Sequence, residues 1–316
     1  MPFARDSAAR SWCSLVSTLV LLAGSLLAAA VVPWWPPRAL AALLGGLLMV
    51  RTFVLYHDFM HGAILRGSRL ARVVFHALGI LLLTPPRSWR ASHNYHHAHV
   101  GKLVGSSTGS FPLLTVDMWR RASRPRRWLY RFSRSPLAIA LAYLTVFVFS
   151  ICIVSFVKSP RRNWDALLAL AVHLALIAAL WLLAGPATAL FVLVLPMGVA
   201  SALGAYLFYA QHNFTGMKVL PDEQWSYYAA ALASSSYLRM GAVLRYFTAN
   251  IGYHHVHHLN PLVPSHQLPA AMAAIPELQH PTVTSLRPRD VRACLRLKLW
   301  DPRTGQMTRF CGVQPA

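Results

Sequence analysis

Long apolar runs, broken by short polar or proline-bearing segments, organise most of this chain. The first covers about 13–32 and the second about 39–56, and between them lies Val32-Pro33-Trp34-Trp35-Pro36-Pro37-Arg38. Runs of this length match the roughly 20 residues that a helix needs to cross a hydrocarbon core. The prolines stop one helix before the next begins, and tryptophans suit a membrane interface. A further stretch, about 73–84, is too short to span and reads as an interfacial or re-entrant helix. Three more runs follow at about 136–157, 166–184 and 187–209. Only Gly185-Pro186 separates the last two, a turn signal that predicts an antiparallel pair.

Composition sharpens this picture. Of 316 residues, 56% are hydrophobic and 12% charged, less charge than a soluble domain carries. The formal net charge of +21 would point to nucleic acid on a polar surface. Here most of the Lys and Arg fall between or after the apolar runs, the distribution of a positive-inside topology, so no nucleic acid partner is expected. Arg5 and Arg10 ahead of the first run give it a superficial likeness to a secretory signal. The run is long for one and a second run follows at once, so the expectation is a first span rather than a cleaved leader. Cys13, Cys152, Cys294 and Cys311 are far apart and match neither disulfide nor iron–sulfur spacing.

Histidine supplies the chemistry. Fifteen are present, and three tight groups hold most of them. His57 and His61, just past the second run, are four residues apart and share a helical face. His93, His96 and His97 repeat that geometry with offsets of three and four, as do His254, His257 and His258. His212, in Gln211-His212-Asn213-Phe214, stands alone beyond the last run. This many imidazoles exceeds the four ligands of one tetrahedral zinc, so two metals are implied. Ligand type alone does not choose among Zn, Cu, Fe and Ni. Metal transport is a remote alternative, because transport sites lie near the bilayer midplane and these histidines lie at or beyond helix ends.

His57 through Gly62, Trp89 through His97, Gln211 through Phe214 and Leu244 through Leu268 together resemble the histidine boxes of the membrane fatty acid desaturase superfamily, in its acyl-lipid, delta-12-like branch. The likeness runs over nearly the whole chain in order and spacing. It implies an all-α integral membrane fold of four transmembrane helices in two hairpins, with a cytoplasmic helical cap carrying the boxes, in a single domain with a basic tail from about 281. The spans would be 13–32, 39–56, 166–184 and 187–209. It also implies an O2-dependent desaturase of acyl-lipids with two iron ions, held by His57, His61, His93, His96, His97, His212, His254, His257 and His258. Related di-iron hydroxylases and carotenoid ketolases look similar around the boxes and are the nearest alternative. Asp58 matches the acidic residue of the first box and would orient imidazoles; Asn250 is a second candidate near the metals. His255 lies inside the third box at a position that the pattern does not assign. Asn213-Phe214-Thr215-Gly216 lacks the acidic residue that many relatives carry after the Phe. No haem-binding or iron–sulfur motif occurs, so electrons must come from a separate donor, ferredoxin-like or cytochrome b5-like. A bacterial inner membrane with both termini and the boxes cytoplasmic fits the positive-inside pattern.

Two lone polar residues sit in apolar surroundings. His173 is expected to be an interhelical hydrogen bonder, and Arg51, about two turns before His57, is expected to snorkel. Trp89 and Trp225 read as interfacial anchors.

The order of spans yields a test. If all five long runs crossed, the first two histidine groups and the last would face opposite sides, so 136–157 should enter and leave on one side. Cysteines introduced at positions 134 and 160 should react with an impermeant reagent from the same face of the membrane; labelling from opposite faces would refute this topology.

Overall fold

The computed structural model describes residues 2–103 and 108–310, so Cys311 lies outside the described residues. Among the described residues four helices are long and apolar enough to cross a membrane: α1 (Ala8–Val31), α2 (Trp35–His61), α9 (Trp164–Ala184) and α10 (Pro186–His212). Between the first and second pairs come α3 (Arg69–Leu81), α4 (Pro86–His99), α5 (Val116–Arg121), α6 (Arg124–Ser133), α7 (Pro136–Ala140) and α8 (Tyr143–Lys158). The chain bends by 88° between α3 and α4. Much of α8 is wound as a π-helix and it falls among the shorter apolar helices.

Contacts divide the chain into two compact units. The first comprises 1–90, 140–205 and 246–249; the second comprises 91–139, 206–245 and 250–316.

In the first unit, Pro36 and Pro37 occupy the opening turn of α2, where a missing N–H costs nothing. Trp34 and Trp35 at that turn are 74% and 73% exposed, as interfacial anchors would be. Ser25 donates to the Ala41 carbonyl at 2.7 Å and ties α1 to α2. Arg38 donates from Nε to the Ala29 carbonyl at 2.6 Å and from Nη2 to Thr188 Oγ1 at 2.9 Å, which joins the two hairpins. Gly46 lets α2 lie close against α10: a Cβ there would stand 2.7 Å from the Val199 Cβ and 2.9 Å from the Pro196 carbonyl. Small residues at such crossings are how helices pack where no hydrophobic force drives them together. His173 pairs with the Tyr143 hydroxyl of α8, as expected of a polar group inside a span.

Arg51 finds partners: Nε donates to Thr18 Oγ1 at 2.9 Å, Nη2 to Ser14 Oγ at 3.0 Å and Nη1 to the Tyr246 carbonyl, with the guanidinium 4.1 Å from the Tyr246 ring centre. Two hydroxyls one turn apart on α1 supply the acceptors that water would otherwise provide. Trp89 is no anchor; it is buried in the apolar cluster of Tyr56, Met60 and Phe75.

The second unit holds the only strands among the described residues. Tyr237–Arg239 pairs in parallel with Val283–Ser285, and Leu299–Asp301 pairs antiparallel with Gln306–Thr308. The basic tail forms a helix at Pro288–Arg296 and this hairpin. Cys294, Trp300 and Met307 from these elements pack with Ala210, Phe214 and Met217 in one core. Leu299 packs instead with Leu114, Trp119 and Tyr130.

The crossing at Gly46 gives a direct test. Gly46→Val should lower the thermal unfolding midpoint of the purified protein, since forcing methyls into a filled crossing costs about 1–3 kcal/mol. Gly24→Ala, where a Cβ meets nothing within 4 Å, should leave it unchanged or raised.

Candidate metal centre

The site's geometry starts with ordinary helix chemistry. Near its C-terminus α2 carries His57 and His61, one turn apart, with ring centres separated by 4.6 Å. The helix then ends at Gly62, whose φ of 75° lets the chain turn left-handed and return its N–H to the Asp58 and Phe59 carbonyls. His57 Nδ1 lies 3.3 Å from Asp58 Oδ1. A proton held there fixes the tautomer and leaves the His57 Nε2 lone pair available. These residues belong to the first unit.

The second unit carries the other seven histidines of the proposed set. On α4, His93, His96 and His97 are buried while Asn94, Tyr95 and Ala98 are exposed, so one face gathers the imidazoles. All five residues of His254-His255-Val256-His257-His258 are buried in the short helix His254–Leu259. Backbone pairing seats that helix. Gly252 accepts from the Leu238 N–H at 2.8 Å, and a Cβ on Gly252 would sit 2.4 Å from the Leu238 carbonyl, so only glycine permits the approach.

The end of α10 is anchored residue by residue. Gln211 Nε2 donates to the Ile251 carbonyl at 2.9 Å, at the entry to the third box. His212 Nδ1 donates to the Ser234 carbonyl at 2.9 Å. Asn213 Nδ2 donates to the Cys294 carbonyl at 2.7 Å, and its Oδ1 accepts from Arg134. The Arg134–Asn213 pair thus holds the end of this motif.

These anchors aim ring nitrogens at one another. His212 Nε2 lies 3.1 Å from His96 Nε2 and 2.9 Å from His254 Nε2, which in turn lies 3.1 Å from His258 Nε2. A second series joins His93, His97 and His257 through Nε2 separations of 3.2 and 3.1 Å. The His97 and His258 rings stack at 4.2 Å, so the two series are neighbours. Because Ser234 takes the Nδ1 proton of His212, the neutral ring presents only a lone pair to both partners. Two imidazole nitrogens each about 2.1 Å from one ion and at right angles would be roughly 3 Å apart, so the spacings fit shared cations. Burial first, and then the neighbouring His97, His254, His212 and His96, hold the His258 imidazole well below the ordinary histidine range. It therefore stays neutral and ligand-competent at physiological pH. His96, His212 and His258 can offer nitrogens within 4.8 Å of one another.

Residues around the third box do other work. His255 turns away, with Nε2 3.2 Å from the Leu278 carbonyl, and burial pushes it down to about 4. Asn250 adopts a left-handed φ of 61° and donates from Nδ2 to the Ser265 carbonyl at 3.3 Å, which shapes the approach to the box. Trp225 donates to the Val100 carbonyl at 2.9 Å, with Lys102 over its ring.

Apolar helices long enough to span and buried imidazoles that converge in two neighbouring series describe a membrane protein with histidine clusters suited to holding metal. Residues 33–289 match the fatty acid desaturase family model, and the chain belongs to that family, whose members are oxidoreductases. It is 33% identical over 279 residues to the fatty acid desaturase of Bacillus subtilis (strain 168), covering 87% of this chain and 78% of that one. It is 22% identical over 272 residues to an sn-1 oleoyl-lipid 12-desaturase of Synechocystis, covering 85% and 77%. Against a chloroplastic sn-2 acyl-lipid omega-3 desaturase (ferredoxin) of Arabidopsis thaliana the identity is 28% over 259 residues, 76% of this chain and 54% of that one.

What sequence reading missed here was Arg134, one arginine among many in a basic stretch and yet 2% exposed. Its only sequence signal is position: it follows Tyr130 by one helical turn. Beside it, Lys298 is pushed down to about 8, by burial first and then by the Arg134 charge. The folded Lys298 thus releases its proton before the unfolded chain does, near 10.5, so the unfolded state binds more protons in between. Stability should rise with pH between about 8 and 10.5. Lys298→Met should flatten that part of the thermal-unfolding profile; an unchanged slope would show that Lys298 does not titrate there.

Proposed function

We propose that this protein is an O2-dependent acyl-lipid desaturase whose histidines hold two iron ions. The observation that carries the reading is the convergence of Nε2 atoms at 2.9–3.2 Å in two neighbouring series, within a chain of the fatty acid desaturase family. The ligand set is His57, His61, His93, His96, His97, His212, His254, His257 and His258. Bound iron supplies the oxidising power toward O2 and an unactivated methylene that amino-acid side chains lack.

The chain's own contribution is order. Ser234 and Asp58 take the Nδ1 protons of His212 and His57 and so keep Nε2 turned inward. Gln211 and Asn213 brace the residue between them against rotation of the helix end. Burial keeps the His258 ring neutral and water scarce around it. The substrate is an acyl chain carried on a membrane lipid, as the names of the Synechocystis and Arabidopsis relatives state for those proteins. Electrons come from a separate small donor, ferredoxin-like or cytochrome b5-like. The membrane is the bacterial inner membrane, with the histidine boxes and both termini on the cytoplasmic side.

Metal analysis of the purified protein should find two irons per chain, and lipids of an expressing strain should gain a double bond. His212→Ala should lose iron and cut product to about a tenth or less, as ligand-shell losses of 10–100-fold would give. His255→Gln should retain both, because a glutamine amide can still donate to the Leu278 carbonyl. One zinc per chain with no iron after reconstitution, or an active His212→Ala protein, would overturn the assignment.

A further inference from the structure

Helix α6 buries one face and leaves an apolar one exposed. Tyr130 within it and Arg134 at its C-cap, one turn apart, are buried in the second unit. There the Tyr130 hydroxyl donates to the Lys298 carbonyl and accepts from the Leu114 N–H at 3.2 Å. Away from that face, Pro125, Trp128, Leu129 and Phe132 recur at offsets of three and four and fall on one stripe. Trp128 is 67% and Leu129 60% exposed. The Trp128 and Phe132 rings stack with their centres 5.8 Å apart. Large apolar residues exposed singly are ordinary, but contiguous on one helix face they mark a surface that another apolar phase covers.

Cations border the stripe on both sides. By helical spacing Arg124 and Arg131 stand along one edge and Arg126 along the other, and all three are exposed. The Arg131 guanidinium lies 5.1 Å from the Trp119 ring centre and 5.4 Å from that of Phe310. None of the ion pairs among the described residues uses Arg124 or Arg126. No acidic residue occurs between Asp117 and Asp165.

We propose that α6 lies in the headgroup layer of an anionic lipid surface, with Trp128, Leu129 and Phe132 immersed and Arg124 and Arg126 paired with lipid phosphates. An apolar stripe edged by arginines is the composition of a helix that rests in the plane of a membrane interface. The guanidinium matches phosphate oxygens bidentately, and its long stem lets the charge reach outward over apolar surface. A soluble acidic protein would complement the arginines but would leave the stripe in water between encounters. A bilayer meets both halves at all times. The argument uses neither the metal ligands nor the substrate, so it stands or falls apart from the proposed function.

The test uses the full chain, one copy per nanodisc, with Cys13 and Cys311 replaced by Ser and a nitroxide label on Leu129→Cys. The discs hold phosphatidylcholine alone or with phosphatidylglycerol added. The readout is the ratio of relaxation by O2, which concentrates in lipid, to relaxation by a water-soluble nickel chelate. That ratio should climb with the phosphatidylglycerol fraction and fall back at high salt, which screens the arginines. Adding Arg124→Gln and Arg126→Gln should remove most of the climb, since each arginine beside an anionic surface contributes roughly fivefold to its binding. Both sites are exposed, so the thermal unfolding midpoint in phosphatidylcholine should be unchanged. A label that stays nickel-accessible in both lipids overturns the proposal. So does a ratio equally high in both and indifferent to the glutamines, which would show apolar immersion without headgroup recognition. Protection that appears only when a soluble acidic ferredoxin is added would assign the face to a protein instead.

Discussion

Neutral imidazoles facing one another nitrogen to nitrogen are the constraint on which the second unit is built. Where both rings carry their proton on Nδ1, such a pair meets lone pair to lone pair, and burial removes the water that would settle the matter. The surroundings accordingly fix which nitrogen carries the proton. Ser234 does so for His212, and the backbone of 234–236 is itself held through the Ser236 N–H on the Gln211 carbonyl. The anchoring is reciprocal: the segment that positions the histidine is positioned by the residue before it.

The bilayer imposes a second constraint, and the first unit answers it with hydroxyls. Ser14 and Thr18 do for Arg51 what Thr188 does for Arg38. In both cases a guanidinium that water would solvate is solvated by an adjoining helix, and the ion becomes a cross-link between spans. Charge inside the apolar region therefore works as an element of helix packing. Gly46 works from the opposite direction, by removing bulk where α2 meets α10.

How much of this was legible in the chain depended on the range of the signal. Apolar runs near 20 residues and their proline and glycine breaks report spans directly, because the bilayer fixes the length of helix it needs. Histidines at offsets of three and four report a shared face for the same local reason. The partners of Arg51 were not legible, because its acceptors come from a helix 33 and 37 residues earlier in the chain. Arg134 was overlooked because its partners, Pro112 and Asn213, are 22 and 79 residues away. The tail gave no periodicity because its strands are three residues each and its helix is nine, too short for a pattern to declare itself. His212 was readable only through its place at the end of a span.

The separation between His97 and His257 is 160 residues, although their Nε2 atoms are 3.1 Å apart. Closing a loop of that length costs chain entropy that no local contact repays in advance. A ribosome releasing the chain from its N-terminus makes α1 and α2 long before the third box exists. The hairpins can therefore enter the membrane and pack while the imidazoles of α4 still lack their partners. Assembly of the histidine cluster therefore waits for the third box, and an ion captured there would act as a clasp across that length of chain.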